Sequence, residues 1–458
     1  MGLVEVARQR GVCGLAAVTF ACIFTIVFSH LIRLRGMAEI YLASALSAFG
    51  TGCHSQDKIA PMSKKSRSRI WFLVHSWLAL PIWFFVLIVC VTGTLAVVSQ
   101  EIVWLAQPEV RASKPSEDAP LLTLGEAVMA VNKARPELVI RNIVRPDESH
   151  FALTASVSNP DGTLTTLYVN PYTGVIQGKA ATFNFRGFTR ALHGWWLVPF
   201  TNGFSWGWYL VSFLGLPLLA SLVTGLVVYK KFWRGFLKPR LRLNQGVRIF
   251  WGDFHRLSGI WSIWFIAVIS ITGTWFLIQA LLFDNRISIS SEGVPVFVAR
   301  EEVPVSPSGQ RPPTFTLDQA INVAQREIPG LEISFAELPG TAYAPLTVGG
   351  RGWYPLMFQT AEINPFNGGI IGQRLLADNS KLEFVTESMR PLHTGDFGGI
   401  WIKMIWFFFG LLLSMMVLSG LLIWSKRTAQ ATVALLKRPE RDTQRLKAIT
   451  RARQGINS

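Results

Sequence analysis

Seven histidines occur in the chain, and four of them stand at repeated positions. His75 and His255 each open a long apolar run. Each is followed at the same interval by a Thr-Gly pair, Thr92-Gly93 and Thr272-Gly273. His193 and His393 each close an Arg-x-Leu-His segment that begins at Arg190 or Arg390. A single histidine in an apolar helix is most simply a polar residue bonded to a nearby backbone carbonyl. Ionisable groups at membrane depth are costly and usually functional, and two symmetric pairs favour ligation. Imidazole suits zinc, copper and iron. A zinc or copper site recruits further His, Cys or carboxylate donors, and none stands beside these positions in the sequence. A bis-histidine haem needs two imidazoles on opposite faces and flat apolar walls.

Candidate walls are Trp71, Trp77, Trp83, Phe84, Trp251, Trp261, Trp264, Trp195, Trp196, Trp206, Trp401 and Trp406, although tryptophan also forms plain interfacial belts. Small residues near the histidines (Ser76, Ala79, Ser258, Gly259, Gly194 and Gly395) either admit a porphyrin or help helices pack. Arg190 and Arg390 lie three residues before His193 and His393, on the same face if the segment is helical. There they suit a propionate through charge-assisted hydrogen bonds, or equally a lipid headgroup. Arg256 is a weaker propionate candidate beside His255.

The elements that must position these residues read as a membrane protein. The 458-residue chain is 50% hydrophobic, only 16% charged, and has 17 tryptophans. Crossing a hydrocarbon core takes ~20 residues. Stretches near 12–32, 70–98, 204–229, 257–283 and 400–424 are long enough. The four cysteines form no C-x-x-C pair, which argues against a disulfide framework or a zinc site. The net charge of +16 is concentrated before 70, over 230–248 and after 425. That is the positive-inside pattern. It puts 62–69, 230–256 and 425–458 in the cytoplasm and the two long segments outside, and it argues against nucleic-acid binding.

From Met62 onward a repeat is legible. Thr123-Leu124-x-x-Ala127 matches Thr316-Leu317-x-x-Ala320. Asn170-Pro171-Tyr172-Thr173-Gly174 matches Asn364-Pro365-Phe366-Asn367-Gly368. Thr224-Gly225-Leu226 matches Ser419-Gly420-Leu421. The expected fold is mainly α, a duplicated two-helix unit with four core transmembrane helices and two extramembrane α+β modules. Repeat 1 covers 62–229, with helix 70–98, module 120–180, a histidine segment and helix 204–229. The basic loop 230–256 follows. Repeat 2 covers 257–424, with helix 257–283, module 314–375, a histidine segment and helix 400–424. A basic tail, 425–458, ends the chain. Residues 1–61 read as an extension ahead of a natural start at Met62, or as an extra helix.

Each module should open with a helix (Leu124, Val128 and Val131; Leu317, Ile321, Ala324 and Ile328). Strands should follow at Phe151 to Val157, Thr165 to Val169 and Tyr354 to Ile363. The Asn-Pro segments should be turns. A unit with two spans returns to its starting side, so the two units share one orientation. A helix rises ~1.5 Å per residue through a core ~30 Å thick. Equal-depth partners are then His75 with His255 and His193 with His393.

The four histidines, the Asn-Pro-x-x-Gly turns and the helix–module–helix duplication resemble the PepSY-associated membrane proteins, often called iron-regulated membrane proteins, over about 62–427. That family includes siderophore-linked inner-membrane reductases with two b-type haems. The resemblance implies that His75, His193, His255 and His393 are axial ligands and that ferric siderophores are reduced in the periplasm. No G-x-G-x-x-G follows a strand, so the electron donor is expected to be a quinol or a reductase partner. An alternative is a non-enzymatic membrane regulator or accessory of iron uptake, since PepSY modules elsewhere are associated with peptidase inhibition. A transporter fits less well, because no broken helix with a charged midplane site is evident.

Overall fold

The structure, a computed structural model, describes residues 64–436 except 230–231, 288, 290–294 and 308–313. The expected extension 1–61, its span 12–32 and most of the basic tail lie outside the described residues.

The described chain opens with α1 (Lys64–Ala79), which carries His75. A 3-10 turn over Leu80–Ile82 separates it from α2 (Trp83–Val97). Pro81 lacks the N–H that would continue the helical ladder, and the apolar parts of these helices are bent by 62°. The expected single helix over 70–98 is therefore two helices. Next come α3 (Ser99–Ala106) and α4 (Leu124–Ala134), the latter started by a capping box between Thr123 and Glu126. Strands β1 (Val139–Val144), β2 (Leu153–Ser158), β3 (Leu164–Val169) and β4 (Ile176–Lys179) follow. Helix α5 (Phe185–Trp195) holds Arg190 and His193. Helices α6 (Trp206–Phe213) and α7 (Gly215–Val228) form one apolar stretch with a turn at Leu214.

The second half repeats the order. Helix α8 (Phe232–Leu237) leads to α9 (Val247–Trp261), which carries His255, and α10 (Ile263–Asp284). The expected helix over 257–283 thus divides at Ser262, whose backbone ends α9. Helix α11 (Leu317–Glu327) starts in a capping box of Thr316 and Gln319. Strands β5 (Glu332–Glu337), β6 (Leu346–Arg351), β7 (Phe358–Ile363) and β8 (Ile370–Arg374) come next. Helix α12 (Lys381–Thr394) holds Arg390 and His393, and α13 (Gly399–Leu436) is the last. Among the described residues, Trp206–Val228, Ile263–Asp284 and Gly399–Trp424 are long and apolar enough to cross a membrane. The bent pair Ile70–Leu78 and Trp83–Val97 passes the same test jointly. The chain is a membrane protein with an extramembrane α+β part.

The two expected α+β modules share their strands in one antiparallel sheet, in the order β4-β3-β2-β1-β5-β6-β7-β8. The seam is β1 against β5, where Asn142, Ile143 and Val144 face Glu337, Ala336 and Phe335. Ile143 and Ala336 are separated along the chain by the same interval as the capping residues Thr123 and Thr316. Equivalent positions therefore meet at the centre of the sheet. The same holds where α4 faces α11: the Gly125 N–H donates to Asp318 Oδ1 at 3.2 Å, and the Thr123 hydroxyl donates to Oδ2 at 3.0 Å. A Cβ at Gly125 would lie 2.4 Å from that carboxylate, so a side chain there would displace Asp318.

Helices α4 and α11 cover one face of the sheet, with Leu124, Val131, Ile143, Leu153, Val157, Val348 and Ile363 in a shared core. Both Asn-Pro segments form the expected turns. Asn170 Oδ1 accepts from the N–H groups of Tyr172 and Thr173, and Asn364 Oδ1 accepts from those of Phe366 and Asn367. Gly174 (φ 71°) and Gly368 (φ 74°) supply the left-handed step. Ile143 is fully buried at the seam. Ile143→Ala should cost about 2–5 kcal/mol, read as a lower unfolding midpoint in detergent.

Within the described residues the chain divides into two compact units. One takes in Thr92–Gly215 and Val268–Phe408, with the whole sheet, His193 and His393. The other takes in 64–91, Leu216–Ala267 and 409–436, with His75 and His255.

Candidate functional site

Each unit holds one histidine pair. In the unit with the sheet, the rings of His193 and His393 have centres 6.0 Å apart and planes at 35°. Helices α5 and α12 deliver them, each from its last turn. Gly395, at φ 74°, ends α12 two residues beyond His393. Trp406 packs on that glycine, where a Cβ would lie 2.8 Å from its ring, and its indole N–H donates to the Leu392 carbonyl at 3.0 Å. Phe276 stands edge-on to His393 at 5.2 Å. In the other unit, His75 and His255 have ring centres 6.4 Å apart and planes at 70°.

Each ring meets a hydroxyl, a glycine or both from a Thr-Gly or Ser-Gly pair on an apolar helix. His75 Nδ1 is 3.0 Å from Thr224 Oγ1, and a Cβ at Gly225 would lie 3.4 Å from His75 Cε1. His255 Nδ1 is 3.0 Å from both Ser419 Oγ and the Met416 carbonyl, and a Cβ at Gly420 would lie 3.3 Å from Cε1. His393 Nδ1 is 2.7 Å from Thr272 Oγ1. His193 lies against Gly93, where a Cβ would come within 2.6 Å of Cε1, and the neighbouring Thr92 is buried. These Thr-Gly and Ser-Gly pairs are the landmarks of the sequence repeat. Their signal was present: a hydroxyl beside a glycine, four times, deep in apolar helices.

The sequence model of the PepSY-associated TM region matches residues 72–427. The chain belongs to the PepSY-associated TM family. An uncharacterised protein of Pseudomonas aeruginosa is 25% identical over 253 residues, which is 52% of this chain and 64% of that relative. The chain therefore spans less than two thirds of the relative's length.

In this PepSY-associated protein five of the candidate wall residues, Trp77, Phe84, Trp206, Trp261 and Trp401, have exposed side chains. Phe276, not singled out from sequence, is the ring that touches His393. Arg190 and Arg390 lie one helical turn before their histidines, as their spacing requires. Partial burial, then the charges of Arg390 and Arg186, lower the Arg190 guanidinium from its ordinary range. Those cations are thus near neighbours. Asp396, which acts the opposite way on Arg190, is itself 3.7 Å from Arg351.

Arg256 is engaged elsewhere. Asp253, only 3% exposed, accepts from Arg256 Nη2 and takes a two-pronged bond from Arg242, at 2.7 Å and 2.9 Å. This pins the basic loop to α9 two residues before His255. The Arg242 hydrogen bond holds the Asp253 carboxyl well below the usual carboxylate range. A depressed folded value stabilises above the unfolded value of about 3.9 and is lost only as pH falls through the folded one. The clasp should therefore persist at pH 5. Asp253→Asn should release the loop and speed tryptic cleavage after Arg240 and Arg242; an unchanged cleavage rate would show that the clasp does not order it.

A second buried charge group was missed from sequence. Lys403, 7% exposed on α13, donates to Glu101 at 3.1 Å and to Glu148 at 2.9 Å. Beside it Arg351 bonds Asp147 at 2.7 Å. These partners lie far apart in sequence, and no periodicity marks them.

Proposed function

We propose that the protein is a di-haem reductase of the bacterial inner membrane. In this reading the chain is a tandem duplication with four core spans, the bent α1–α2 pair counting as one. Basic segments 62–69, 230–256 and 425–458 lie in the cytoplasm and the sheet in the periplasm, following the charge distribution. His75 with His255, and His193 with His393, hold two b-type haems.

The observation that carries this reading is the spacing of the two pairs. With metal–nitrogen bonds of about 2 Å, as imidazole makes to zinc, two rings on one metal have centres about 6 Å apart. The pairs stand at 6.4 Å and 6.0 Å. Each Nδ1 with a named partner is turned away to a helix oxygen, which leaves Nε2 for coordination. Gly93, Gly225 and Gly420 admit the ring edges. Among the described residues no group of three or more His, Cys, Asp or Glu side chains could hold a metal ion. That favours a centre completed by a macrocycle over a zinc or copper site. Arg190 and Arg390 suit the propionates of the haem between His193 and His393.

When bound, a haem supplies a one-electron iron couple whose potential its axial ligands set. The chain's own residues fix those ligands, exclude water from them and neutralise propionate charge. The donor is a quinol or a reductase partner on the cytoplasmic side. The substrate is a ferric siderophore in the periplasm: one electron converts its Fe(III) to Fe(II), which hard oxygen donors hold less tightly. A purely regulatory role leaves the two facing pairs unexplained.

The test is an optical spectrum of the purified protein, oxidised and dithionite-reduced. A Soret band with split-out α and β bands on reduction, at two haems per chain, is expected. Protein purified from haem-replete cells without Soret absorbance would sink the proposal.

A further inference from the structure

We infer that Thr224, Thr272 and Ser419 are positioning residues that hold His75, His393 and His255 as the Nδ1–H tautomer, so that Nε2 carries the coordinating lone pair. The inference rests on the haem-ligand reading but makes its own claim about which proton sits where.

The hydrogen-bond directions follow from what each hydroxyl already does. Thr224 Oγ1 donates to the Ala220 carbonyl at 2.8 Å. Thr272 Oγ1 donates to the Val268 carbonyl at 2.6 Å. Ser419 Oγ donates to the Met416 carbonyl at 2.8 Å. A hydroxyl has one proton and two lone pairs. With the proton on the helix carbonyl, the oxygen can only accept from the ring. Nδ1 must then be the donor. For His255 the conclusion is doubly drawn, because the Met416 carbonyl at 3.0 Å from Nδ1 has no proton to give.

Thr224, Thr272 and Ser419 are 5%, 2% and 0% exposed, so water cannot replace either partner. A buried hydroxyl on a spanning helix would ordinarily be satisfied by its own carbonyl alone. Here each carries a second bond to a ring on another helix. The next residue in each case is glycine. At Gly225 and Gly420 it leaves the helix bare where the Cε1 edge of the ring lies. At His75 and His255 the dipeptide is thus a two-part seat: the hydroxyl fixes the proton and the glycine admits the ring. His193 lies against Gly93, the residue after the buried Thr92.

A ring N–H that donates to an outer partner makes the opposite nitrogen a more basic ligand. A more basic ligand stabilises the ferric state and lowers the potential. Loss of the acceptor should raise it. The three sites are not equal. Removing the Thr272 hydroxyl takes away the named acceptor of His393, whereas Thr224→Val leaves the Ser221 carbonyl in place for His75 and Ser419→Ala leaves the Met416 carbonyl in place for His255.

The experiment is potentiometric titration of haem-loaded wild type, Thr224→Val, Thr272→Val, Thr224→Ser, Thr272→Ser and Ser419→Ala. It is paired with nitrogen NMR of histidine-labelled protein prepared without haem. Expected are a raised midpoint potential in Thr272→Val, wild-type behaviour in the Ser variants, and smaller rises in Thr224→Val and Ser419→Ala. The haem-free spectrum should show protonated Nδ1 in wild type. Loss of haem in the Val variants with retention in the Ser variants would support the same conclusion. Unshifted potentials in the Val variants, equal damage from Val and Ser, or protonated Nε2 in the haem-free rings would overturn it. Wild type that binds no haem would instead remove the reductase reading, and the nitrogen spectrum would still decide the tautomer.

Discussion

His393→Ala is expected to leave the purified protein with one haem per chain where wild type has two. The ring removed is one of a pair 6.0 Å from centre to centre, and its partner His193 belongs to the same compact unit. The His75–His255 pair lies in the other unit. The loss should therefore be confined to one centre, read as half the pyridine-haemochrome content with an unshifted band from the survivor. Gly93→Val should give the same result by another route. Its Cβ would fall 2.6 Å from His193 Cε1, below any real contact, so the ring must leave its place. Full haem content in both variants would remove His193 and His393 from the ligand set.

Lys403→Met should produce the largest loss of stability. Lys403 stands between Glu101 and Glu148, and all three side chains are 16% exposed or less. Removing the cation leaves two carboxylates together in a poorly solvated site, a change that typically costs about 3–5 kcal/mol. Adding Glu101→Gln and Glu148→Gln should recover much of it, since a buried ion pair replaced as a whole is often neutral. The deficit should shrink as pH is lowered, because carboxylates without a counter-charge take up protons more readily. Thermal unfolding in detergent, at pH 5 and pH 8, measures both effects. Equal midpoints for Lys403→Met and wild type would show that the triad does not hold α13 to α3.

What the sequence made legible was periodic or repeated. Capping residues Thr123 and Thr316, the helices they start and the Asn-Pro turns all stand out, because each depends on neighbours within a few residues. Strands β1, β5 and β6 do not alternate clearly. In β6 the pair Gly349-Gly350 has no side chains to mark a face, and Phe335 occupies the space where a Cβ at Gly349 would be. The joining of two modules into one sheet could not be read, since nothing local distinguishes a paired edge from a free one. Histidine pairing followed from topology, but the choice of Nδ1 partner depends on contacts between helices more than a hundred residues apart. The break at Leu80-Pro81-Ile82 is marked in sequence only by a proline inside a continuous apolar run.

The seam at Ile143 and Ala336 has a consequence for ancestry. An antiparallel edge pair centred on matching positions needs no difference between its two sides. Two separate copies of a half-length chain would join their first strands in the same register and bring identical imidazoles face to face. A self-associating half-chain would have two glycines or two acids where α4 meets α11. In a single chain the two sides are free to differ, and here Gly125 on one side accommodates the Asp318 carboxylate on the other.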